Sequence, residues 1–283
     1  MNRPVGFVGL GAMGKPMAQR LVDWPEGLHV YDVAPGPLAE LAEAGAKVAT
    51  SLAELAGAVG LVCVMVRDDA QVREVLDQLL LSAAPGLIVA IGSTVAPDTP
   101  EELAGLAAKR GVQVIDAPVS GGVIGAAAGS LAIMVGGPDE TFAAAKDVLG
   151  RMGTRVVHAG PVGAGTKMKL ARNLVHFVSF TAAAEAQRLA EAAGIDLVRL
   201  GKVVRHTDAI TGGPGAIMLR PSTAELAPDD PWRGIFEHVL ALGEKDLGFA
   251  VELADRLGVD VPLAKQSLLG LGPGLGLPEG EAR

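Results

Sequence analysis

The sequence has 283 residues, of which 49% are hydrophobic, so it is long enough for two domains with sizeable cores. Its formal net charge of −8 argues against a nucleic-acid-binding surface, because such surfaces are basic. The single cysteine, Cys63, excludes a disulfide within the chain and fits a reducing compartment. Because Cys63 lies in the apolar run GLVCVMV, we expect it to be a buried strand residue and not a nucleophile.

The amino-terminal stretch MNRPVGFVGLGAMG lacks the charged segment, apolar core and cleavage site that mark a signal peptide. Two long uncharged stretches, residues 78–97 and 117–138, are interrupted by Pro85-Gly86 and by several glycines. Neither stretch therefore predicts a membrane-spanning helix. We expect a cytoplasmic protein that binds neither membrane nor nucleic acid.

The first part of the chain alternates β-rich runs with amphipathic, alanine-rich runs. The strand-like runs lie at residues 5–10, 28–32, 60–66, 86–92, 112–118, 131–137 and 155–160. The helical runs between them include residues 15–24, 36–44, 69–81 and 100–110. This alternation predicts a Rossmann-type, doubly wound parallel sheet with crossover helices.

Strand signals stop after Gly160, and helical patterns follow. Helices are predicted at residues 165–193, 197–206, 234–257 and 263–269. We therefore expect a dinucleotide-binding domain over residues 1–162 and an all-α domain over residues 163–283, joined by a long interdomain helix. The tail at residues 271–283 is rich in glycine and proline, so we expect it to be disordered or loosely packed.

A G-x-G-x-x-G motif directly follows the first predicted strand and opens the first predicted helix. Gly9 can form the tight turn, Gly11 allows a pyrophosphate to approach the backbone, and Gly14 permits close helix–strand packing. The intervening Ala12 and Met13 belong to the same expected phosphate-binding turn, which faces a helix N-terminus.

Asp32 ends the second predicted strand, where a dinucleotide-binding fold places the acid that binds ribose. A carboxylate at this position accepts hydrogen bonds from the ribose hydroxyls of NAD and repels the 2′-phosphate of NADP. The residues that follow, Val33 and Ala34, offer that phosphate no positive charge. The motif and the acid together predict NAD, not NADP, as cofactor, whereas a structural turn with a surface aspartate is the alternative.

Two further strand ends carry hydroxyl groups. Ser120, Gly121 and Gly122 form either an anion-binding loop for a carboxylate or a flexible glycine turn. Ser93 and Thr94 lie either near the reactive end of the cofactor or cap a following helix.

The stretch KLARN places Lys169 and Asn173 one turn apart on one helix face, and His176 lies close to the same line. A lysine amine can take the hydroxyl proton of an alcohol if burial lowers its pKa from about 10.4. The alternative is that Lys169 is one of two lysines on a solvent-exposed helix face, and this interpretation fits the neighbouring Lys167. His176 is either a pocket wall or a core histidine.

Four motifs in order, GFVGLGAMGKPMA, DAPVSGG-x-x-GA, GAGTKMKLARN and EKDLGFA, resemble those of the β-hydroxyacid dehydrogenase family, in particular its 3-hydroxyisobutyrate dehydrogenase-like branch. The resemblance implies oxidation of a small carboxylate-bearing β-hydroxy acid, or the reverse reduction, by a homodimer or homotetramer. It also implies roles for particular residues. These are Lys169 as catalytic base, Asn173 as substrate-orienting amide, Ser120, Gly121 and Gly122 as carboxylate loop, and Thr94 and Lys245 beside the cofactor.

The chain departs from the family pattern at several positions. Arg172 replaces the first of two adjacent asparagines, and Arg67 precedes Asp68 where the family usually has Leu-Pro beside the cofactor. Arg67 either touches the cofactor or is exposed. By spacing, His238 replaces a pocket phenylalanine, with Phe236 nearby, and would make the substrate pocket more polar. The Gly/Pro tail stands where the family has a last helix.

Two other functions share this architecture. One is an imine reductase-like enzyme, and the other is a non-catalytic dinucleotide-binding interaction module. Relatives of both kinds typically lack the lysine, so Lys169 argues against each. The sequence predicts no metal site.

Overall fold

The computed structural model describes residues 3–277. The chain divides into two compact units, Met1–Arg172 and Asn173–Arg283, and the division falls within a long helix.

The first unit alternates strands and helices. Its strands are β1 Val5–Val8, β2 Leu28–Tyr31, β3 Lys47–Val48, β4 Leu61–Val64, β5 Ile88–Ile91, β6 Gln113–Asp116, β7 Val119–Ser120, β8 Ala132–Gly136 and β9 Arg155–Gly160. Its helices are α1 Gly14–Gln19, α2 Pro35–Glu43, α3 Leu52–Ala58, α4 Asp69–Leu80, α5 Thr99–Ala108, α6 Gly122–Ala128 and α7 Asp139–Met152. The predicted strands are all present. The short elements β3, β7, α3 and α6 and the longer helix α7 were not among the named predictions.

The strands form one sheet in the order β3-β2-β1-β4-β5-β6-β8-β7, with β9 paired to β8. Pairing is parallel from β3 to β6, which confirms the doubly wound prediction for this part. The sheet is not parallel at every pair, because β8 runs antiparallel to β6 and β7, whereas β8 and β9 pair in parallel. A parallel crossover typically needs roughly a dozen or more residues. The short α6 connection instead returns the chain beside β7 in the opposite direction.

The central strands are buried on both faces. All four residues of β1, β4 and β5 are buried, and successive side chains enter two separate apolar clusters, as the two-residue period of a strand requires. Phe7 and Cys63 belong to one cluster, whereas Val8 and Val62 belong to the other. Burial raises the pKa of the Cys63 thiol to about 12, so this residue is a small core hydrophobe, as predicted.

Helices make up the second unit. Helix α8, Ala164–Ala192, enters it from the first unit, and α9 Leu197–Thr211, a 3-10 helix Gly213–Ile217, α10 Arg233–Leu257 and α11 Pro262–Gly274 follow. No helix of the described residues is both long and apolar enough to cross a membrane.

The expectation of a loosely packed tail is wrong for residues 271–277. Helix α11 continues to Gly274, and Leu275 and Leu277 are buried in a cluster with Leu226 and Phe236. The leucines between the glycines bury apolar surface, and this burial was not considered when the tail was judged by its glycine and proline content. The rest of the predicted tail, residues 278–283, lies outside the described residues.

The glycines of the first turn have different reasons to be glycine. Gly9 adopts a φ of +89°, and a Cβ there would lie 2.2 Å from the Met65 carbonyl oxygen. A Cβ on Gly14 would lie 1.9 Å from the Gly9 carbonyl oxygen, so helix α1 packs directly on the turn. By contrast, a Cβ on Gly11 would meet no atom within 4 Å. Gly9 and Gly14 are therefore needed by the fold, and Gly11 is not.

Gly14→Ala should lower the free energy of unfolding by about 1–3 kcal/mol, because the backbone must move to admit the methyl group. Gly11→Ala should change it by less than about 0.5 kcal/mol, since the site is exposed and open. Denaturant unfolding of the two variants checks this, and equal losses would contradict the different roles assigned to the two glycines.

Candidate active site

The parallel strands β1, β2, β4 and β5 bring their carboxyl ends to one edge of the sheet, where open α/β folds bind ligands. Gly9, Asp32, Arg67 and Thr94 lie in the segments that leave these strands. The sheet topology therefore gathers the predicted cofactor residues of the first unit.

The Asp32 carboxylate links the first turn to the end of β2. Its Oδ2 accepts a hydrogen bond of 2.5 Å from the Leu10 amide, and its Oδ1 accepts one of 2.7 Å from the Ala34 amide. These bonds hold a negative charge at the strand end while leaving acceptor capacity on both oxygens. The carboxylate is thus oriented before any ligand arrives.

A cleft of about 280 Å³ opens beside Asp32. Its lining residues are Val8, Gly9, Gly11, Tyr31, Asp32, Val33, Leu52, Met65, Val66, Arg67, Gln71, Glu74, Val75 and Gln78. Apolar walls, a carboxylate and open space over Gly11 fit the adenosine and pyrophosphate parts of a dinucleotide. The Arg67 side chain lies at the rim, where it is largely exposed and forms a 3.3 Å ion pair with Asp68.

Ser93 and Thr94 do not cap a helix, so that alternative is wrong. The buried Ser93 hydroxyl donates to the Val66 carbonyl and accepts from the Val66 amide, at 2.8 and 2.9 Å. Helix α5 instead follows Asp98, without a side-chain cap. Ser93 therefore fixes the segment after β4 to the segment after β5 and leaves Thr94 exposed at the sheet edge.

The segment from Ser120 to Gly122 is a strand–turn–helix junction and not simply a flexible glycine turn. Ser120 ends β7, Gly122 begins α6, and the two glycines have φ values of +133° and +62°. Side chains rarely adopt these angles, so glycine allows the chain to turn there. The turn leaves both glycines exposed.

Lys169 is buried, with 8% of its surface exposed, and its Nζ donates a 2.8 Å hydrogen bond to Ser120 Oγ. The structure therefore brings these two predicted site residues together. Burial lowers the pKa of the Lys169 amine, and the positive charge of Arg172 lowers it further. The neighbouring Lys167 is exposed and forms a 2.8 Å ion pair with Glu101, as the solvated-face alternative requires.

Asn173 lies one turn beyond Lys169 on α8 and is half-buried. His176, also half-buried, packs against Phe180 and Phe177, with ring centroids 4.3 and 5.3 Å away. This aromatic group is part of the second unit.

The two candidates on α10 are exposed. Lys245 forms a 3.2 Å ion pair with Asp246, and His238 lies on the helix surface. Phe236 instead points into the apolar cluster of the second unit, with 3% of its surface exposed.

Asp116 is a buried acid close to the candidate site that the sequence analysis did not single out. It is fully buried at the end of β6, and its two carboxylate oxygens accept hydrogen bonds from the Gly163 and Thr166 amides at 2.7 and 2.6 Å. The available signal was a lone acid at the end of the apolar strand VQVID, which burial makes costly unless it is paired. Asp116 joins the sheet to the helix that carries Lys169.

Within residues 3–277, no cluster of three or more histidine, cysteine or acidic side chains has an arrangement that could hold a metal ion.

Comparison with known families and proteins identifies the relatives of this chain. Residues 4–160 match the family described as the NAD binding domain of 6-phosphogluconate dehydrogenase. Residues 163–268 match the family described as NAD-binding of NADP-dependent 3-hydroxyisobutyrate dehydrogenase.

Individual relatives cover nearly the whole chain. An uncharacterized oxidoreductase of Mycobacterium tuberculosis is 51% identical over 97% of this chain and 94% of its own length. The crystal structure of a candidate oxidoreductase from Mycobacterium avium is 50% identical and has a TM-score of 0.94, covering 97% of this chain and 99% of that one. A Mycobacterium tuberculosis 3-hydroxyisobutyrate dehydrogenase, solved with L-serine, is 33% identical, with a TM-score of 0.69 and coverage of 95% and 92%. By these matches the chain belongs to the β-hydroxyacid dehydrogenase family of nicotinamide-dependent oxidoreductases.

Proposed function

We propose that this protein oxidises a small β-hydroxy acid of the 3-hydroxyisobutyrate kind to its semialdehyde with NAD, and that Lys169 is the general acid and base. The observation that carries the proposal is the buried Lys169 amine held 2.8 Å from Ser120 Oγ. An amine that is desolvated and fixed in place can exchange a proton at a defined position.

Lys169 takes the hydroxyl proton of the substrate in the oxidative direction and returns it in the reductive direction. Burial and the charge of Arg172 favour the neutral amine, which is the form that can accept this proton. The nicotinamide ring, when bound, supplies the hydride chemistry. The hydrogen bond to Ser120 holds Lys169 Nζ in place, so the amine is already positioned before the substrate binds.

Ser120, Gly121, Gly122 and Asn173 are the proposed substrate-binding groups. The exposed glycine turn can present backbone amides to a carboxylate, and the Asn173 amide can hold the substrate oxygen. His176 and His238 remain proposed pocket residues. The names attached to one relative, 3-hydroxyisobutyrate and L-serine, both denote a carboxylate with a hydroxyl on the β-carbon. That shared chemistry supports the substrate class.

The cleft beside Asp32 is the proposed adenosine site. The proposed pyrophosphate-binding turn consists of Gly9, Gly11, Ala12, Met13 and Gly14. Other parts of the cofactor are proposed to contact Arg67, Thr94 and Lys245. The family description for residues 163–268 names NADP, whereas the oriented Asp32 carboxylate supports NAD for this chain.

The alternatives fit the site less well. An imine reductase-like enzyme or a non-catalytic dinucleotide-binding module gives no reason to bury a lysine amine against a serine hydroxyl, because burial of an ammonium is costly. Reduction of a cyclic imine by the wild-type enzyme would favour the first alternative. Dinucleotide binding without turnover of any substrate would favour the second.

We also propose that the chain is a homodimer or homotetramer in the cytoplasm, with its domains divided between residues 162 and 163. No residue of α9 is buried, although the helix carries four large exposed aliphatic side chains, of which Val198, Val203 and Ile210 are at least 60% exposed. Such a helix is marginal in water without a partner surface. A second copy of the chain would supply that surface.

Lys169→Ala should lower the rate of NADH formation from a hydroxy acid by about 10²–10⁴-fold, because a general base is lost. Initial rates with a panel of small hydroxy acids, together with dinucleotide affinity, check this and identify the substrate. Lys167→Ala is the matched control, since this neighbouring lysine is exposed and should be dispensable. Turnover that survives in Lys169→Ala would contradict the proposed mechanism.

Wild-type kcat/KM should be higher with NAD than with NADP by at least about tenfold, which corresponds to roughly 1.4 kcal/mol of repulsion. Asp32→Asn should reduce this ratio, because the charge facing the 2′-phosphate is removed. Arg67→Gln is the informative control at the rim of the same cleft. A wild-type preference for NADP that Arg67→Gln abolishes would contradict this prediction. It would show that Arg67 binds the 2′-phosphate and that Asp32 does not exclude NADP.

A further inference from the structure

Asp116 is a fully buried acid with two strong backbone partners. Its Oδ1 accepts from the Gly163 amide at 2.7 Å and its Oδ2 from the Thr166 amide at 2.6 Å. These amides flank the start of α8, where the first turn of a helix has no backbone acceptors of its own. A carboxylate there satisfies two donors and also faces the positive end of the helix dipole.

The sheet and α8 approach each other closely at this point. A Cβ on Gly136 would lie 2.3 Å from Asp116 Oδ1, and one on Gly165 would lie 2.3 Å from the Met134 carbonyl oxygen. The two glycines thus allow the helix end to lie directly on β8 beside the carboxylate. The hydrogen bonds to Asp116 lie at the start of this helix.

The same two segments meet again at the candidate active site. Ser120 lies one short segment beyond Asp116, and Lys169 lies one helical turn beyond Thr166. Two hydrogen-bonded contacts therefore join these two segments. One is the Lys169–Ser120 hydrogen bond, and the other is the Asp116 carboxylate with the Thr166 amide. If the helix start moves, the Lys169 amine moves with it.

We propose that Asp116 is a positioning residue, which holds Lys169 against Ser120 by fixing the first turn of α8 to the end of β6. This inference rests on the proposed role of Lys169 as the general base. Asp116 touches no reacting atom in this account, and its effect on the reaction passes through the helix.

The test is the pH dependence with which a small amine-reactive reagent modifies Lys169, read by mass spectrometry of the peptide that contains it. This readout reports the pKa of the amine and needs no substrate. In Asp116→Asn the helix start loses a charged acceptor, so Lys169 becomes more hydrated and the midpoint moves up towards the ordinary lysine value. The kcat for the hydroxy acid should fall by about 10²-fold, the loss expected from a small misplacement, with little change in dinucleotide affinity.

The direction of the shift separates the possible roles. A downward shift would mean that the Asp116 charge acts on the amine directly, and an unchanged midpoint with a lower melting temperature would mean that Asp116 is only structural. Either result overturns the proposal. An upward shift in a protein that turns over no hydroxy acid would support the positioning role while contradicting the proposed function.

Two further variants make the test robust. Glu101→Gln removes another carboxylate that contacts α8, but on its exposed side through Lys167, and should leave the Lys169 midpoint unchanged. If Asp116→Asn does not fold, Gly163→Ala replaces it. Gly163 has a φ of +88°, so alanine strains the residue whose amide binds Asp116. Gly163→Ala should move the midpoint upward by a smaller amount, and an unchanged midpoint in this variant would equally overturn the proposal.

Discussion

The hydrogen bond between Lys169 Nζ and Ser120 Oγ is the contact on which the proposed chemistry depends. A lysine is long and flexible, and a buried lysine amine is costly unless it has partners. Ser120 supplies a partner, and burial together with Arg172 shifts the amine towards its neutral form. Position and protonation state are thus set by the same environment, which is the combination that a general base needs.

Carboxylates at strand ends perform the same physical task twice in the first unit. Asp32 accepts from the Leu10 and Ala34 amides after β2, and Asp116 accepts from the Gly163 and Thr166 amides after β6. In each case a strand of the sheet orients a neighbouring backbone segment. One segment forms the proposed cofactor turn, and the other begins the helix that carries Lys169. The sheet therefore supports both the proposed cofactor turn and the helix that carries the proposed general base.

Local patterns predicted those parts of the molecule that local physics decides. Alternating apolar runs predicted the buried strands, and the four-residue spacing placed Lys169 and Asn173 on one turn of α8. The antiparallel strand β8 and the role of Asp116 depend on which segments meet in space, and a one-dimensional pattern does not contain that information. The packing of Leu275 and Leu277 was missed because glycine and proline dominate the composition around them. The roles of His176, His238 and Lys245 stay predictions.

The most direct test of the central claim is the pH dependence of kcat/KM for hydroxy acid oxidation in wild type and Arg172→Gln. Oxidation needs the neutral Lys169 amine, so the rate should rise with pH through an inflection below the ordinary lysine pKa of about 10.4. Removal of the Arg172 charge raises the Lys169 pKa and should move this inflection to higher pH, whereas Lys167→Gln, which removes an exposed charge, should not. An inflection that stays in place in Arg172→Gln, or that persists in Lys169→Ala, would show that another group is the base.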